Sequence, residues 1–221
     1  MSGKRERVVG ATPPMTIPEN IQKLADELAT LPSIGPRQAI RLAFYIAGEG
    51  EKKADSISRA LSGLKAIGQC SRCHFYVFRA DTAATASDLL CSICTDKTRD
   101  SSFLCILEKE TDLISIENSR VYRGTYFVLG GPINDARAKG RVQKSRERLA
   151  ELVARVKSNP LTEIIIATNP TTEGDLTAIV LKKDLGPYAK KISRLGRGIP
   201  TGADIEFADE ETLGAALENR K

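Results

Sequence analysis

Two pairs of cysteines constrain the fold of this chain more than any other feature of its sequence. Cys70 and Cys73 form one Cys-x2-Cys pair, Cys91 and Cys94 form another, and seventeen residues separate the pairs. This spacing lets two tight turns hold one metal ion, and four sulfur ligands are typical of tetrahedral zinc. Because protein fills all four ligand positions, we expect a structural zinc within a ribbon of residues 69–102.

The same cysteines allow two other interpretations. They could be buried or reactive thiols that bind no metal. A disulfide framework is less favoured, because the chain shows no secretory signal and has only one further cysteine, Cys105. His74 adjoins Cys73 and could replace a ligand, but we interpret it as a bystander.

Composition and charge narrow the classes of protein that remain. Hydrophobic residues make up 41% of the 221 residues, which is enough for a core. No apolar run approaches the roughly 20 residues that cross a bilayer, so we expect a cytoplasmic protein. The formal net charge of +5 favours a polyanionic partner.

Periodicity divides the chain into five parts. A helical pattern in the first third gives way to alternating apolar strands and amphipathic helices, which predicts an α/β fold with a parallel sheet flanked by helices. In the helical part, a third helix of about residues 54–66 is expected to bury Ile57, Ala60, Leu61 and Leu64. The predicted parts are a flexible basic tail at 1–16, a helical DNA-binding unit at 17–68, the ribbon at 69–102, the sheet domain at 103–196 and a C-terminal arm at 197–221.

The turn Leu31–Pro36 joins the first two helices and favours DNA binding. Gly35 lets the backbone approach a ligand, and free N–H groups at the start of the second helix suit a phosphate. Arg37 and Arg41 lie one turn apart and can face the same DNA backbone. We interpret this segment as a helix-hairpin-helix that binds phosphates without reading sequence. An ordinary helix–loop–helix is the alternative.

Acidic residues follow two predicted strands of the α/β part. Glu108 comes after the first strand and Asp112 four residues later, while Glu173 and Asp175 follow the buried strand Ile164–Ala167. The C-terminal ends of parallel strands share one crevice, where carboxylates could hold Mg²⁺ for phosphoryl chemistry. Helix capping and solvated surface charge would explain the same residues. We expect no Ser-His-Asp set in a chain with one histidine, and no P-loop motif occurs in the sequence.

The order of these parts resembles the RecR family of bacterial recombination mediators, from about Ile17 to Arg220. The most specific match is the run Ala167–Ala178, with the sequence ATNPTTEGDLTA. Further matches are Leu31–Arg37 with Arg41–Phe44, the two Cys-x2-Cys pairs, Glu108, Asp112, Ile116–Glu117, Tyr126–Gly131, Arg194–Gly202 and Glu206–Glu210.

The resemblance implies a helix-hairpin-helix, a four-cysteine zinc ribbon, a Toprim domain and a C-terminal arm. It also implies a homo-oligomer, in the family a ring-like tetramer that can clamp single- and double-stranded DNA at the nucleoid. With RecO- and RecF-type proteins, such a protein helps load the recombinase RecA onto single strands coated by single-strand-binding protein.

The resemblance implies no catalytic activity. Glu173-Gly174-Asp175 has the spacing of the D-x-D pair of catalytic Toprim domains but lacks the first Asp. The alternative is a Mg²⁺-dependent Toprim nuclease or topoisomerase-like enzyme, and a scaffold that binds only proteins is a third class.

Three segments depart from the family pattern. The gap between the cysteine pairs is longer than we expect, so the tip of the ribbon is expected to differ. The loop Pro132–Arg137 and a charged helix replace a glycine-rich loop after Gly131, which affects the partner contacts expected on this face. The N-terminal extension is the third departure.

Overall fold

The structure is a computed structural model that describes residues 16–79, 89–134, 139–196, 198–218 and 220. Residues 1–15 of the predicted tail, the tip of the ribbon and the end of the loop that follows Asn134 lie outside the described residues. The chain divides into two compact units, Met1–Lys65 and Ala66–Lys221.

The first unit contains three helices, α1 (Glu19–Ala29), α2 (Pro36–Gly48) and α3 (Glu51–Gly63). Pro36 occupies the first turn of α2, where its missing N–H costs no hydrogen bond and its fixed φ suits the helix. Small side chains form the contact between α1 and α2 and allow the two helices to approach closely. The buried residues of this contact are Ala25, Ala39 and Ala43.

The apolar side of α3 is exposed, so the prediction that this helix buries its leucines is wrong. None of the residues of α3 is buried. Leu61 is 62% exposed, and Leu64, in the 3-10 turn that follows, is 64% exposed. The apolar sides of α1 and α2 pack against each other, and no described residue of this unit buries the leucines of α3.

The second unit is built on a four-stranded parallel sheet with the strand order β4-β3-β5-β6. Its strands are β3 (Asp100–Leu107), β4 (Gly124–Val128), β5 (Leu161–Ala167) and β6 (Ala189–Arg194). Apolar residues dominate the central strands because a parallel sheet with helices on both faces has no solvated face. The predicted α/β fold class is confirmed.

Alternate residues of β3 face two separate cores. Leu104 and Ile106 pack with residues of α6 (Lys139–Ser158) and α7 (Thr172–Leu185) on one face of the sheet. Cys105 and Leu107 pack on the other face with α5 (Glu110–Asn118). The chain then ends in a short helix, α8 (Glu210–Glu218).

The helix α5 was not predicted from the sequence. It is nine residues long, and Leu113 is its one buried residue. A single buried position in so short a segment gives no clear helical periodicity.

The cysteine ribbon consists of a two-stranded antiparallel hairpin and a one-turn helix. The strands are β1 (Ile67–Gln69) and β2 (Tyr76–Phe78), and the helix is α4 (Ser92–Thr95). The ribbon packs on the edge of the main sheet, where the Val128 N–H of β4 donates to the Cys73 carbonyl at 2.9 Å. Phe75 and Ile93 of the ribbon extend the core on the α5 face.

None of the helices in the described part of the chain is long and apolar enough to span a lipid bilayer.

Candidate metal centre and nucleic-acid interface

The four sulfurs of Cys70, Cys73, Cys91 and Cys94 lie within 4.8 Å of one another. The Sγ atoms of Cys73 and Cys91 are 3.5 Å apart. Sulfurs bound to a tetrahedral zinc at about 2.3 Å would be roughly 3.8 Å apart, which matches this spacing. Three of the four cysteines are buried, and Cys94 is half-buried. The sulfurs therefore have the number and the positions to hold one metal ion.

Local hydrogen bonds bring each pair of sulfurs to one side of a tight turn. In the first turn, the Cys70 N–H donates to the Phe75 carbonyl at 2.8 Å and the His74 N–H donates to the Cys70 carbonyl at 2.9 Å. His74 closes this turn with a φ of 62°, in the left-handed region that residues other than glycine rarely adopt. In the second turn, the Cys94 N–H donates to Cys91 Sγ at 3.4 Å.

Because the thiols lie close together, their pKa values shift in different directions. A hydrogen bond from Cys73 lowers the pKa of Cys70, and the same bond raises the pKa of Cys73. Cys105 lies outside this group, in the core of the sheet domain, where burial raises the pKa of its thiol to about 12. Cys105 is therefore a neutral core side chain.

His74 also lies outside the group of sulfurs. Its Nε2 is 3.2 Å from Glu151 Oε2, and its ring packs edge-on against Phe127 with 5.0 Å between the ring centres. Burial, as the largest effect, lowers the pKa of His74. His74 thus packs between the ribbon and α6.

Three charged residues on one face of α6 fasten the ribbon to the sheet domain. Arg148 donates to the Val128 carbonyl at 2.9 Å and to Gln69 Oε1 at 3.0 Å, while Arg155 donates to the Arg72 carbonyl at 2.6 Å. Glu151, which contacts His74, lies between them at helical spacing. The sequence pattern places the charges of this helix on its solvent side. The structure instead buries Arg148, which is 4% exposed.

The predicted DNA-binding residues lie on the surface of the first unit. Arg37 and Arg41 are exposed on α2, and neither forms an ion pair with a described residue. Gly35 takes a φ of −80° and a ψ of 163°, an extended conformation open to any residue, and no described atom lies within 4 Å of the position of a Cβ added there. The positive φ of the turn, 65°, falls on Ser33. Gly35 thus contributes open space rather than an unusual backbone angle.

Three of the four predicted acidic residues have polar contacts with neighbouring groups. Glu108, at the C-terminal end of β3, is 4% exposed and accepts a hydrogen bond from Asn169 Nδ2 at 2.7 Å. Asp175 forms an ion pair with Arg194 at 2.8 Å. Asp112 accepts a hydrogen bond from the Lys109 N–H at the start of α5.

These acids do not form a ligand group in the described part of the chain. The one set of three or more His, Cys, Asp or Glu ligand atoms close enough for one ion there is the four sulfurs. A cavity of about 600 Å³ opens beside the ends of β5 and β6. Its lining includes Asp112, Asn169 and Arg194, but Glu108, Glu173 and Asp175 do not line it.

Comparisons with known proteins connect these features. A family model described as "RecR, helix-hairpin-helix" matches residues 21–64, a Toprim domain model matches residues 102–196, and a model described as "RecR, C-terminal" matches residues 198–221. The chain is 42% identical to the recombination protein RecR of Chloroflexus aggregans over 202 residues, which cover 91% of this chain and 93% of that protein.

The same similarity extends to other bacteria. The recombination protein RecR of Roseiflexus castenholzii is 40% identical over 206 residues, 93% of this chain and 95% of that protein. The RecR protein of Frankia casuarinae is 40% identical over 201 residues, 91% of this chain and 96% of that protein. The chain belongs to the RecR family.

Membership of the RecR family gives the chain a role in DNA recombination and repair. The Toprim model matches the part of the chain that forms the parallel sheet. The RecR relatives are named as recombination proteins rather than as enzymes. Sequence reasoning missed two arginines of α6, Arg148 and Arg155, which attach the ribbon to the sheet domain. Arg194 lies in a segment that matches the family, but its ion pair with Asp175 was not predicted.

Proposed function

We propose that this protein is a recombination mediator that binds single- and double-stranded DNA as an oligomeric clamp. With RecO- and RecF-type partners, it would help load the recombinase onto single-stranded DNA. The observation that carries the proposal is the exposed pair Arg37 and Arg41 beside an open helix N-terminus, in a chain of the RecR family.

The start of α2 has the chemistry of a phosphate site. Its first helical hydrogen bond runs from the Ala39 N–H to the Gly35 carbonyl, so the amides of Arg37 and Gln38 precede the helical ladder. The helix dipole adds partial positive charge at this end. The empty space over Gly35 would let a DNA backbone approach these amides.

We further propose that the four cysteines hold one zinc ion. Four thiolates are typical ligands of structural zinc, and the closed ligand set leaves no position for substrate. Zinc would supply stability to the ribbon rather than chemistry. The ribbon carries Arg72 and Gln69, to which α6 is attached.

We propose that the acidic crevice is not catalytic. Catalysis with Mg²⁺ needs carboxylates that converge on the ion, but Arg194 neutralises Asp175 and Asn169 occupies one oxygen of Glu108. The protein should leave DNA uncut and its supercoiling unchanged, both with and without added Mg²⁺. Reproducible cleavage that disappears in Glu108→Gln would instead support the Toprim nuclease.

The DNA site is tested by binding across a range of salt concentrations on two duplexes of unrelated sequence. Arg37→Ala and Arg41→Ala should weaken binding equally on both duplexes, because phosphate contacts are independent of sequence. Each should also reduce the slope of log K against log salt by about one unit for every phosphate that the variant no longer neutralises.

Lys23→Ala is the matched control for this test. Lys23 is an exposed cation of the same unit, but it is paired with Glu19 on α1. Its removal should leave the slope unchanged. If all three variants behave alike, or if the arginine variants lose affinity on one sequence only, the proposed site is wrong.

A further inference from the structure

The hairpin of the ribbon exposes two aromatic side chains on one face. Tyr76 and Phe78 lie two residues apart on β2, and Ile67 lies opposite Phe78 on β1. Residues at this spacing share a face of the strand, with about 7 Å between them. Phe78 is 70% exposed, Tyr76 is 48% exposed and Ile67 is 36% exposed. These three residues are termed the aromatic face.

The described residues of its own unit leave the aromatic face exposed. The opposite face of the hairpin contributes Val77 to the cluster around the cysteines. Gln69 pairs with Tyr76 on the same side of the hairpin, and its side chain accepts a hydrogen bond from Arg148. The exposed surface therefore ends at Gln69. The chain has eleven Phe and Tyr residues and no Trp. The three-residue strand β2 exposes two of these eleven side chains to water, which is an unusual share for so short a segment.

The hairpin and its turns carry exposed positive charge. Arg72 and Arg79 are exposed, and no acidic residue occurs in the sequence between Asp55 and Asp81. Neither cation forms an ion pair with a carboxylate in the part of the chain that the structure describes. The guanidinium of Arg79 lies over Gly68, which pairs with Val77, so it is on the face of the hairpin opposite to the aromatic face. The hairpin therefore combines an aromatic face with two exposed cations.

We propose that the aromatic face is a stacking platform for the bases of single-stranded DNA. Unpaired bases expose ring faces that stack on Tyr and Phe without selecting a sequence, while neighbouring cations attract the phosphates. A duplex keeps its bases stacked internally and offers no such ring faces. The inference rests on the proposed DNA-binding function and adds a contact specific to single strands, separate from the phosphate contacts of Arg37 and Arg41.

Three ligands of equal length separate base stacking from phosphate binding. They are an oligothymidine, the same backbone without bases, and a duplex. In the double variant Tyr76→Ala, Phe78→Ala, affinity for the oligothymidine should fall roughly fivefold or more for each base that no longer stacks. Affinity for the baseless strand and for the duplex should not change. Arg37→Ala should weaken binding to all three ligands.

Two single variants distinguish stacking from a general apolar contact. Phe78→Tyr keeps the aromatic ring and should bind the oligothymidine as the wild type does. Phe78→Leu keeps apolar area but has no ring, so it should lose affinity as Phe78→Ala does. Zinc content and thermal melting, measured on every variant, confirm that the ribbon remains folded.

The outcomes that overturn the platform are distinct from those that overturn DNA binding. If the double variant retains full affinity for oligothymidine, or if Phe78→Leu binds like the wild type, the aromatic face does not stack bases. An equal loss on all three ligands would show an indirect effect and would also overturn the platform. A wild-type protein that binds none of the ligands would overturn both proposals.

Discussion

Glu117 shows how much of this structure depends on single polar residues. Its carboxylate accepts hydrogen bonds from Arg99, which follows the second cysteine pair, and from Tyr126 of β4, at 2.8 Å from the tyrosine hydroxyl. Arg99 also donates to the Gly124 carbonyl at 3.2 Å. One carboxylate on α5 therefore ties the exit of the ribbon to the main sheet.

The pKa of Glu117 gives this contact a dependence on pH. Burial raises the pKa, but the hydrogen bonds from Arg99 and Tyr126 outweigh burial and hold it below the usual value. A lowered folded-state pKa stabilises the protein above the unfolded pKa of about 4.3, and this stabilisation is lost as the pH falls through the folded value.

Glu117→Gln should therefore destabilise the protein by about 1.5–3 kcal/mol at pH 7, the range for a hydrogen bond to a charged group. The difference from the wild type should shrink as the pH falls below about 4.3. Denaturant unfolding at a series of pH values measures both. Glu147→Gln, an exposed change on α6, is the control and should have little effect at any pH; a constant difference for Glu117→Gln would contradict the pKa argument.

At the scale of the element, the ribbon stabilises a strand that it does not belong to. The edge strand β4 donates its Val128 N–H to the Cys73 carbonyl of the ribbon. Arg148 reinforces the same junction, because it donates both to the Val128 carbonyl and to Gln69 of the ribbon. Metal bound at the cysteines would therefore hold the turn that protects this edge.

Removal of the metal should expose β4. Structural zinc supplies roughly 10–16 kcal/mol of apparent binding free energy, so Cys91→Ser or a strong chelator should unfold the ribbon. Metal analysis should find one zinc per wild-type chain and none in the variant. Hydrogen exchange at the Val128 amide should accelerate, because its acceptor carbonyl belongs to the unfolded turn.

Cys105→Ala is the matched control for the zinc experiment. It removes a buried thiol that lies outside the group of sulfurs, so zinc content and Val128 protection should be retained. A folded wild-type protein without zinc, or a Cys91→Ser variant with unchanged exchange at Val128, would show that the ribbon needs no metal.

At the scale of the whole molecule, exposed apolar residues on the first unit support the proposed oligomer. Ile57 and Leu61 lie on the apolar side of α3, Leu64 follows in the 3-10 turn, and none of the three is buried. A second copy of the chain would cover this side. A single hairpin turn contacts few phosphates, whereas several copies on one ring act together and can raise the apparent affinity by about 10²–10⁴.

The double variant Leu61→Ser, Leu64→Ser should lower the mass in solution and weaken DNA binding, although Arg37 and Arg41 remain intact. Light scattering and DNA titration on the same samples measure the two effects. Val121→Ser is the control, because Val121 is 84% exposed in the other unit and should change neither. A monomeric variant that binds DNA as tightly as the wild type would refute the clamp.

The sequence by itself determined those features that depend on local spacing or on continuous apolar runs. The paired cysteines indicated a metal ribbon because two ligands with two residues between them share one turn. The run Ile164–Ala167 indicated a buried parallel strand because both of its faces are covered. The helical hairpin and the α/β alternation followed from periodicity in the same way.

Only the tertiary structure decided which surfaces and charges meet. The apolar stripe of α3 indicated a helix that needs a covering surface, but it could not show that the described part of the unit supplies none. The charges of α6 were consistent with a solvated face, yet Arg148 and Arg155 donate to carbonyls of segments 20 and 83 residues away in sequence. Likewise, Arg194 meets Asp175 only because β6 lies beside β5 in the sheet. Partners so distant in the chain leave no periodic signal, because their proximity depends on the packing of whole elements.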